Sequence, residues 1–301
     1  MQSKKLAPIV LFIYNRPLHT KQTIEALQKN ELAKESELFI YSDAPKNSEA
    51  QSDVDEIREY IKSINGFKKV TVIKRDKNWG LANSIIDGIS SIVNQYGKVI
   101  VLEDDLVTSP YFLKFMNDAL EFYENEKKVW HISGWNYPIE TDNSNDVFLW
   151  RVMNCWGWAT WADRWQHYER DIDKTFTDFS IKEIKEFNLD DVENFWSQVV
   201  DNKEGRVHTW AIFWYATIFK NNGLCLNPVQ TFVDNIGLDG SGIHCGTKKS
   251  YKDRLNLQKT IGFTDVFDES SLYVEKVKEV IRGTFLNRVK KVIKKIIKGK
   301  K

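Results

Sequence analysis

Two hydrophobic periods alternate along the first 125 residues. Pro8–Tyr14 (PIVLFIY) is an unbroken apolar run, the pattern of a strand covered on both faces. The spacing then predicts a helix around Thr20–Gln28 with Ile24 and Leu27 inward, and a second strand over Glu37–Ser42 that stops at Asp43. Val54, Ile57, Ile61 and Ile64 share a helical face between Ser48 and Asn65, and a third strand covers Lys69–Ile73. Asn78–Asn94 reads as a helix with Leu81, Ile85, Ile86, Ile89 and Val93 inward, and Lys98–Leu102 as a fourth strand. Pro110 opens a further helix carrying Phe112, Phe115, Met116 and Leu120 on its inner side. Strand and helix in this alternation imply an α/β fold, doubly wound around a mostly parallel sheet.

The pattern changes after Trp130. Short strands (Val129–Ser133, Val147–Val152) mix with Trp-rich segments and a helix over Trp210–Lys220, stopped by Asn221-Asn222-Gly223. No repeat or Pro/Ser-rich linker separates the two parts, so the second reads as an extension of the first. Residues 246–280 are polar and weakly patterned. Phe285, Leu286, Val289, Val292, Ile293, Ile296 and Ile297 then form one helical face with Lys and Arg opposite, a basic amphipathic helix suited to an anionic membrane surface. A helix packed on the domain and a nucleic-acid contact are the other readings of that pattern.

Charge sharpens this division. The chain carries 43 Lys and Arg against 42 Asp and Glu; nine of the basic residues and no acid lie in Val280–Lys301, which leaves 34 against 42 elsewhere. The tail is electrostatically separate, and the acidic remainder disfavours nucleic acid as a partner. Three cysteines without metal-type spacing argue against a disulfide framework and for a reducing, cytoplasmic setting. No apolar stretch approaches the roughly 20 residues of a membrane span. The 11 Trp, 17 Phe and 11 Tyr suit both a large core and the binding of ring-shaped ligands.

Candidate chemistry gathers where the strands end. Ligands of open α/β sheets bind beyond the carboxyl ends of the strands, and polar residues fall at three such ends: Asn15-Arg16, Asp43, and Glu103-Asp104-Asp105. Within VIVLEDDLVTSP, strand alternation aims Glu103 and Asp105 to one side and Asp104 away. Buried carboxylates need a counter-charge, and Mg²⁺ or Mn²⁺ is held by one or two carboxylates together with substrate phosphates.

Taken in order, PIVLFIYNR, YSD, NWGLANS, EDD with its proline-started helix, SGWN, WGWATWADRW and NIGLDGSGIHCG resemble the GT-A glycosyltransferases, N-acetylglucosaminyltransferase I and its bacterial relatives in particular. The likeness covers roughly residues 7–246. It implies a GT-A type, Rossmann-like fold with a smaller acceptor-side subregion: a catalytic domain over 1–265, with a nucleotide-sugar half (1–125) and an acceptor half (126–265), and a C-terminal extension over 266–301. It also implies that Arg16 and Asp43 contact the nucleotide with Asn83 on the donor side, that Glu103 and Asp104 touch ribose and sugar, and that Asp105 ligates a divalent metal, Mn²⁺ or Mg²⁺. Asn235–Gly246 becomes a Gly-rich loop over the diphosphate, with His244 on phosphate or metal. Trp156, Trp158, Trp161 and Trp210 become acceptor-side residues.

One position departs from the family pattern. The resembling enzymes place an Asp after a Trp near the start of the late helix, whereas here Ala211 follows Trp210; either another acid, Asp239 being the candidate, serves as base, or the mechanism differs, or the protein binds without turnover. The resulting expectation is a metal-dependent, inverting glycosyltransferase. It would use a nucleotide-diphospho-sugar, UDP-linked, and a glycan or lipid-linked acceptor in surface polysaccharide synthesis. A sugar nucleotidyltransferase fits poorly, because NRPLHT lacks the Gly-rich loop that such enzymes carry after the first strand. A nucleotide-sugar-binding protein without turnover is the alternative that Ala211 motivates.

Overall fold

The computed structural model describes residues 5–140, 145–239 and 254–283. Four parallel strands, β1 (Ile9–Ile13), β2 (Glu37–Ser42), β3 (Lys69–Lys74) and β4 (Lys98–Glu103), lie in the order β3-β2-β1-β4. Alternation sends Ile9, Leu11, Ile100 and Leu102 to one face of the sheet and Val10, Phe12, Val99 and Val101 to the other. Helices α1 (Pro17–Gln28), α2 (Gln51–Tyr60) and α4 (Phe112–Phe122) cover the first face, with Ile24, Leu27, Ile57, Phe115 and Met116 buried there. Helix α3 (Leu81–Tyr96) covers the second with Ile85, Ile89 and Val93. Both faces are therefore dry, as the continuous apolar strands require.

The short strand β5 (Leu106–Thr108) leaves the sheet just after the acidic triplet. The second half extends the sheet beyond β4 through β6 (Val129–Ser133), β7 (Val147–Trp150), β8 (Trp158–Trp161) and β9 (Leu224–Pro228), giving the order β3-β2-β1-β4-β8-β6-β9-β7. Strands β8 and β7 run antiparallel to their neighbours and the other six share one direction. Helices α5 (Ala162–Trp165), α6 (Ile172–Asp178), α7 (Ile181–Phe187), α8 (Trp196–Lys203) and α9 (Ala211–Lys220) complete this half. Strand β10 (Val233–Asn235) then returns to pair with β5.

Three local expectations change. Helix α3 starts at Leu81 rather than Asn78, because Gly80 adopts a left-handed φ of +72° that helix geometry excludes. Leu81, expected inside, is exposed at the new helix start. Within the weakly patterned 246–280 stretch, residues 271–283 form a helix, α10, that buries Tyr273, Val274, Val277 and Ile281. Its period is clear only once the flanking polar residues are set aside; Tyr273 stacks on Phe148 of β7 with centroids 5.0 Å apart. The basic helix predicted over 285–301 lies outside the described residues. Among the described residues, no helix is long and apolar enough to cross a membrane.

The second half contains a buried histidine. His131 of β6 contacts the Asn154 carbonyl through Nε2 at 2.9 Å, and its Nδ1 accepts from Trp214 Nε1 at 3.3 Å, which defines a neutral ring protonated at Nε2. Burial pushes its pKa down to about 3, with the Asn154 contact opposing the shift. Between the ordinary value of about 6.5 and 3, the unfolded chain binds a proton that the folded chain does not. Stability therefore falls as pH falls through that window, by up to about 1.4 kcal/mol per pH unit from this residue. Urea midpoints measured from pH 7 to 4 should show this slope in the native chain. The slope should be shallower in His131→Gln, whose overall stability is lower.

Candidate active site

The carboxyl ends of the central strands form the floor of the site. Strand β1 places Phe12 beside Glu103 of β4, and the chain then turns through Tyr14 and Asn15 into α1, where Pro17 stands at the first helical position. Arg16, at the cap of that helix, turns back onto the acids. Its Nη2 pairs with Asp104 and, at 3.0 Å, with Oδ2 of Asp105. The Tyr14 amide donates to Asp104 Oδ2 at 3.4 Å, and Thr23 Oγ1 of α1 donates to the Asp104 carbonyl at 2.9 Å. Asp104 and Asp105 are 4% and 6% exposed, so this ion cluster is largely desolvated.

Three carboxyl groups therefore share one guanidinium. Burial drives the Glu103 pKa up to about 8, helped by the charges of Asp105 and Asp104 and opposed by Arg16. Burial also raises that of Asp104, with Arg16 opposing. Burial alone would lower the Arg16 pKa, but the two aspartates more than offset it and hold the guanidinium charged.

Gly237 closes the roof. The β5–β10 pair carries Asn235 to Leu106, the Ile236 amide donates to the Asp105 carbonyl at 2.9 Å, and Asn235 Oδ1 accepts from the Gly237 amide at 2.9 Å. A Cβ on Gly237 would stand 2.2 Å from Asp105 Oδ2 and 3.0 Å from Arg16 Nη1. Only glycine permits this approach. Two residues later, Asp239 Oδ2 lies 3.2 Å from His19 Nε2 of α1. This described part of the Gly-rich segment thus lies directly over the acids, while His244 lies outside the described residues.

Asp43 is occupied by backbone. Its carboxylate accepts from the amides of Ala44 and Trp79, each at 2.9 Å through Oδ1, and from Gly80 at 2.9 Å through Oδ2. It thereby fixes the loop that precedes α3. Arg58 secures the same region by donating to the carbonyls of Asp43 and Arg75 at 3.2 and 2.9 Å. The Arg75 guanidinium lies 3.8 Å from the centroid of the Trp79 ring. Asn83 is exposed on the first turn of α3 and donates to the Trp79 carbonyl at 2.9 Å. Trp79 and Asn83 line an open depression of about 730 Å³ together with Lys77, Asn78, Ile86 and Asp87.

The four tryptophans expected on the acceptor side separate. Trp158, Trp161 and Trp210 are only 1–3% exposed, which corrects the expectation that they are acceptor-side residues. Strand β8 lies between β4 and β6 with both faces covered, so its side chains enter the two cores. Trp158 stacks on Trp210 with centroids 5.3 Å apart, and Trp161 Nε1 donates to the Leu120 carbonyl at 3.1 Å. Trp156 is different. The β4–β8 register ends where Val101 pairs with Trp158, and Trp156 precedes β8 just beyond that point. It is half-buried and meets Trp135 edge-on with centroids 4.6 Å apart; Tyr137 also meets Trp135, at 4.7 Å.

Sequence reasoning missed His19, Trp135 and the role of Gly237. His19 and Asp239 are 220 residues apart, and no local pattern relates them. Trp135 was visible within SGWN but without an assigned part.

Among the described residues, no group of three or more His, Cys, Asp and Glu is arranged to hold a metal ion. The acids can instead contribute Asp105 to an ion that is also ligated by a bound diphosphate, a donor set that suits Mg²⁺ and Mn²⁺.

Solved structures similar to the chain include S. aureus TarS (14% identity, TM-score 0.31), over 46% of this chain and 24% of TarS. They also include the mannosyltransferase PcManGT from Pyrobaculum calidifontis in complex with GDP-Man and Mn²⁺, at 9% identity and TM-score 0.38, over 73% of this chain and 70% of that one. S. aureus TarS 1–349 matches at 10% identity and TM-score 0.40, over 75% and 59%. The chain thus spans about a quarter of TarS and under two thirds of its 1–349 form. No curated protein matches the sequence. The model of the family described as glycosyl transferase family 2 matches residues 9–188, well over half of the chain and the whole of the strand-end cluster. The chain belongs to glycosyl transferase family 2, and its fold is of the GT-A type.

Proposed function

We propose that the enzyme transfers a sugar with inversion from a UDP-linked nucleotide sugar to a glycan or lipid-linked acceptor in surface polysaccharide synthesis, assisted by Mn²⁺ or Mg²⁺. The observation that carries this reading is the strand-end cluster, where Arg16 pairs with Asp104 and Asp105 and acts electrostatically on Glu103. Such a cluster repels a diphosphate unless further positive charge enters with it. A divalent ion held by Asp105 and the donor phosphates would offset the charge that develops on the leaving diphosphate. The likeness to N-acetylglucosaminyltransferase I supports the same assignment of Asp105, with His244 as a further ligand.

The chain's own residues do the remaining work. Arg16 sits where phosphate oxygens arrive and balances Asp104. Asp43 acts on the nucleoside through the loop it holds, so Trp79 and Asn83 border the base side. Glu103 faces the sugar between the donor row and Trp156, whose ring together with Tyr137 offers a stacking surface to an acceptor sugar. Asp239, at the rim, takes the proton of the acceptor hydroxyl. The basic tail would hold the enzyme against an anionic membrane on the cytoplasmic side.

Calorimetry with UDP-hexoses and GDP-mannose, with Mn²⁺ and with EDTA, tests this. A UDP-sugar should bind with Kd below about 1 mM in Mn²⁺, and EDTA should weaken binding at least about tenfold, the loss of one charge-assisted contact. Asp105→Asn should lower UDP release by about 10²–10³-fold. Absence of donor binding with or without metal rejects the reading. Ala211 favours one alternative, a protein that binds nucleotide sugar without transfer; tight binding with no UDP release across a broad acceptor panel would select it.

A further inference from the structure

We infer that Arg58 is a positioning residue for the nucleoside half of the donor site: it fixes the Trp79 ring on which the base of the nucleotide stacks. This rests on the donor reading above and deepens it. The parallel ladder between β2 and β3 ends where Ser42 meets Lys74, so Asp43 and Arg75 are the first residues beyond it. One more backbone bond follows, from the Arg75 amide to the Ser42 carbonyl at 2.9 Å. Two strand ends that lead into loops diverge unless something spans them. Arg58, in the last turn of α2, spans them. Its Nη2 donates to the carbonyls of Ser42, Asp43 and Arg75 at 3.3, 3.2 and 2.9 Å, and its Nε to Ser42 Oγ at 3.2 Å. A guanidinium suits this task, because its donors are held in a rigid planar fork.

Both of the spanned residues hold Trp79. The Asp43 carboxylate accepts from the Trp79 and Gly80 amides, and the carbonyl of the next residue, Ala44, accepts from Asn78 Nδ2 at 2.7 Å. The Arg75 guanidinium, paired with Asp87, lies over the Trp79 ring at 3.8 Å and over the Tyr41 ring at 5.2 Å. Asp43 thus sets the backbone of Trp79, Arg75 sets one face of its indole, and Arg58 fixes the spacing of the two. Trp79 is half-buried and lines the open depression beside α3, so part of its surface is available to a flat ligand. A stack of a base on an aromatic ring is commonly worth about tenfold in affinity. The acids lie elsewhere. Strand β1 separates β2 from β4, so the Asp43 and Glu103 strand ends stand about 10 Å apart. Loosening the clamp should displace the ring and leave Arg16 and Asp105 where they are.

The test compares two ligands on the full chain, UDP and inorganic pyrophosphate, each by calorimetry with Mn²⁺. Arg58→Met should raise the Kd of UDP about tenfold and change that of pyrophosphate by less than about twofold. Arg58→Lys keeps the charge and most of the stem but not the fork, and it carries the test if the methionine variant does not fold. It should show the same split, with UDP weakened at least about threefold, the loss of one net hydrogen bond. Trp79→Ala should weaken UDP about tenfold. Adding Arg58→Met to it should cost less than about twofold more, because the ring through which Arg58 acts is gone. A purely structural role would lower the unfolding midpoint and move both ligands alike. Unaltered UDP affinity, equal losses for the two ligands, or losses that multiply in the double variant overturn the inference while leaving the donor reading intact. If the native chain binds no UDP, or no pyrophosphate with Mn²⁺, the donor reading itself falls.

Discussion

Gly237→Ala should lower nucleotide-sugar turnover by on the order of 10²-fold while the protein still folds. The added methyl would stand 2.2 Å from Asp105 Oδ2 and 2.9 Å from its Cγ, distances that no real Cβ tolerates. Neither neighbour can yield freely. The Asp105 carboxylate is held by Arg16 at 3.0 Å, and the turn is held by the Ile236 amide and by β10 against β5. Relief requires the carboxylate to rotate off Arg16 or the turn to lift, and a displacement of about 1 Å at a reacting centre is enough for the stated loss. Overpacking of this kind costs about 1–3 kcal/mol of stability. UDP release and Mn²⁺-supported donor binding should both fall, with circular dichroism unchanged. Native turnover in Gly237→Ala would show that the turn does not rest on Asp105 in the working enzyme.

The largest stability effect is expected at Arg164. This side chain is 2% exposed, yet it donates through Nη2 to the carbonyls of Tyr123, Glu124 and Glu126 at 3.1, 2.9 and 3.0 Å, and through Nε to Val129 at 3.3 Å. Nη1 pairs with Asp163 at 2.6 Å, and the guanidinium lies 4.3 Å from the centroid of the Trp161 ring. It thus engages the carbonyls of the turn that follows α4, near the helix C-terminus where positive charge is favoured, and ties that turn to β6 and α5. Arg164→Met removes the donors of all five of these hydrogen-bonding and ionic contacts and leaves the Asp163 carboxylate and the Tyr123 carbonyl each short of a partner, at a cost of about 3–5 kcal/mol. At roughly 2–4 °C per kcal/mol for a large domain, the unfolding midpoint should drop on the order of 10 °C. Arg164→Lys should restore little, because an ammonium cannot reproduce the planar fork. A shift of only a degree or two in Arg164→Met would mean that water replaces the arginine.

These two sites differ in what announced them. Arg164 lies in WGWATWADRW, a segment singled out for tryptophans that turned out to be mostly core, while its arginine drew no notice. Nothing local distinguishes a buried arginine from a surface one: the four carbonyls it engages come from the turn after α4 and from β6, 35 to 41 positions away. Gly237 belonged to a glycine-rich stretch expected near the diphosphate, so its neighbourhood was legible. Its contact with Asp105 was not, because contact depends on how β10 pairs with β5.

What the amino-acid order determined by itself was the alternation of strands and helices through Phe122 and the placing of Arg16, Asp43 and Glu103–Asp105 at strand ends. Both follow from short-range physics. Side-chain periods of 2 and 3.6 reveal which faces are buried, and continuous apolar strands compel a parallel sheet covered on both sides, whose ligands meet its carboxyl edge. Tertiary structure decided the rest. It placed β8 centrally, which buried Trp158 and Trp161 and left Trp156, just before that strand, half-buried. It committed Asp43 to backbone amides, turned Arg16 onto two aspartates, and set His19 against Asp239. Each of these outcomes depends on the spatial order of strands and on contacts between residues distant in the chain, and a periodicity carries no information about which distant neighbour a side chain will meet.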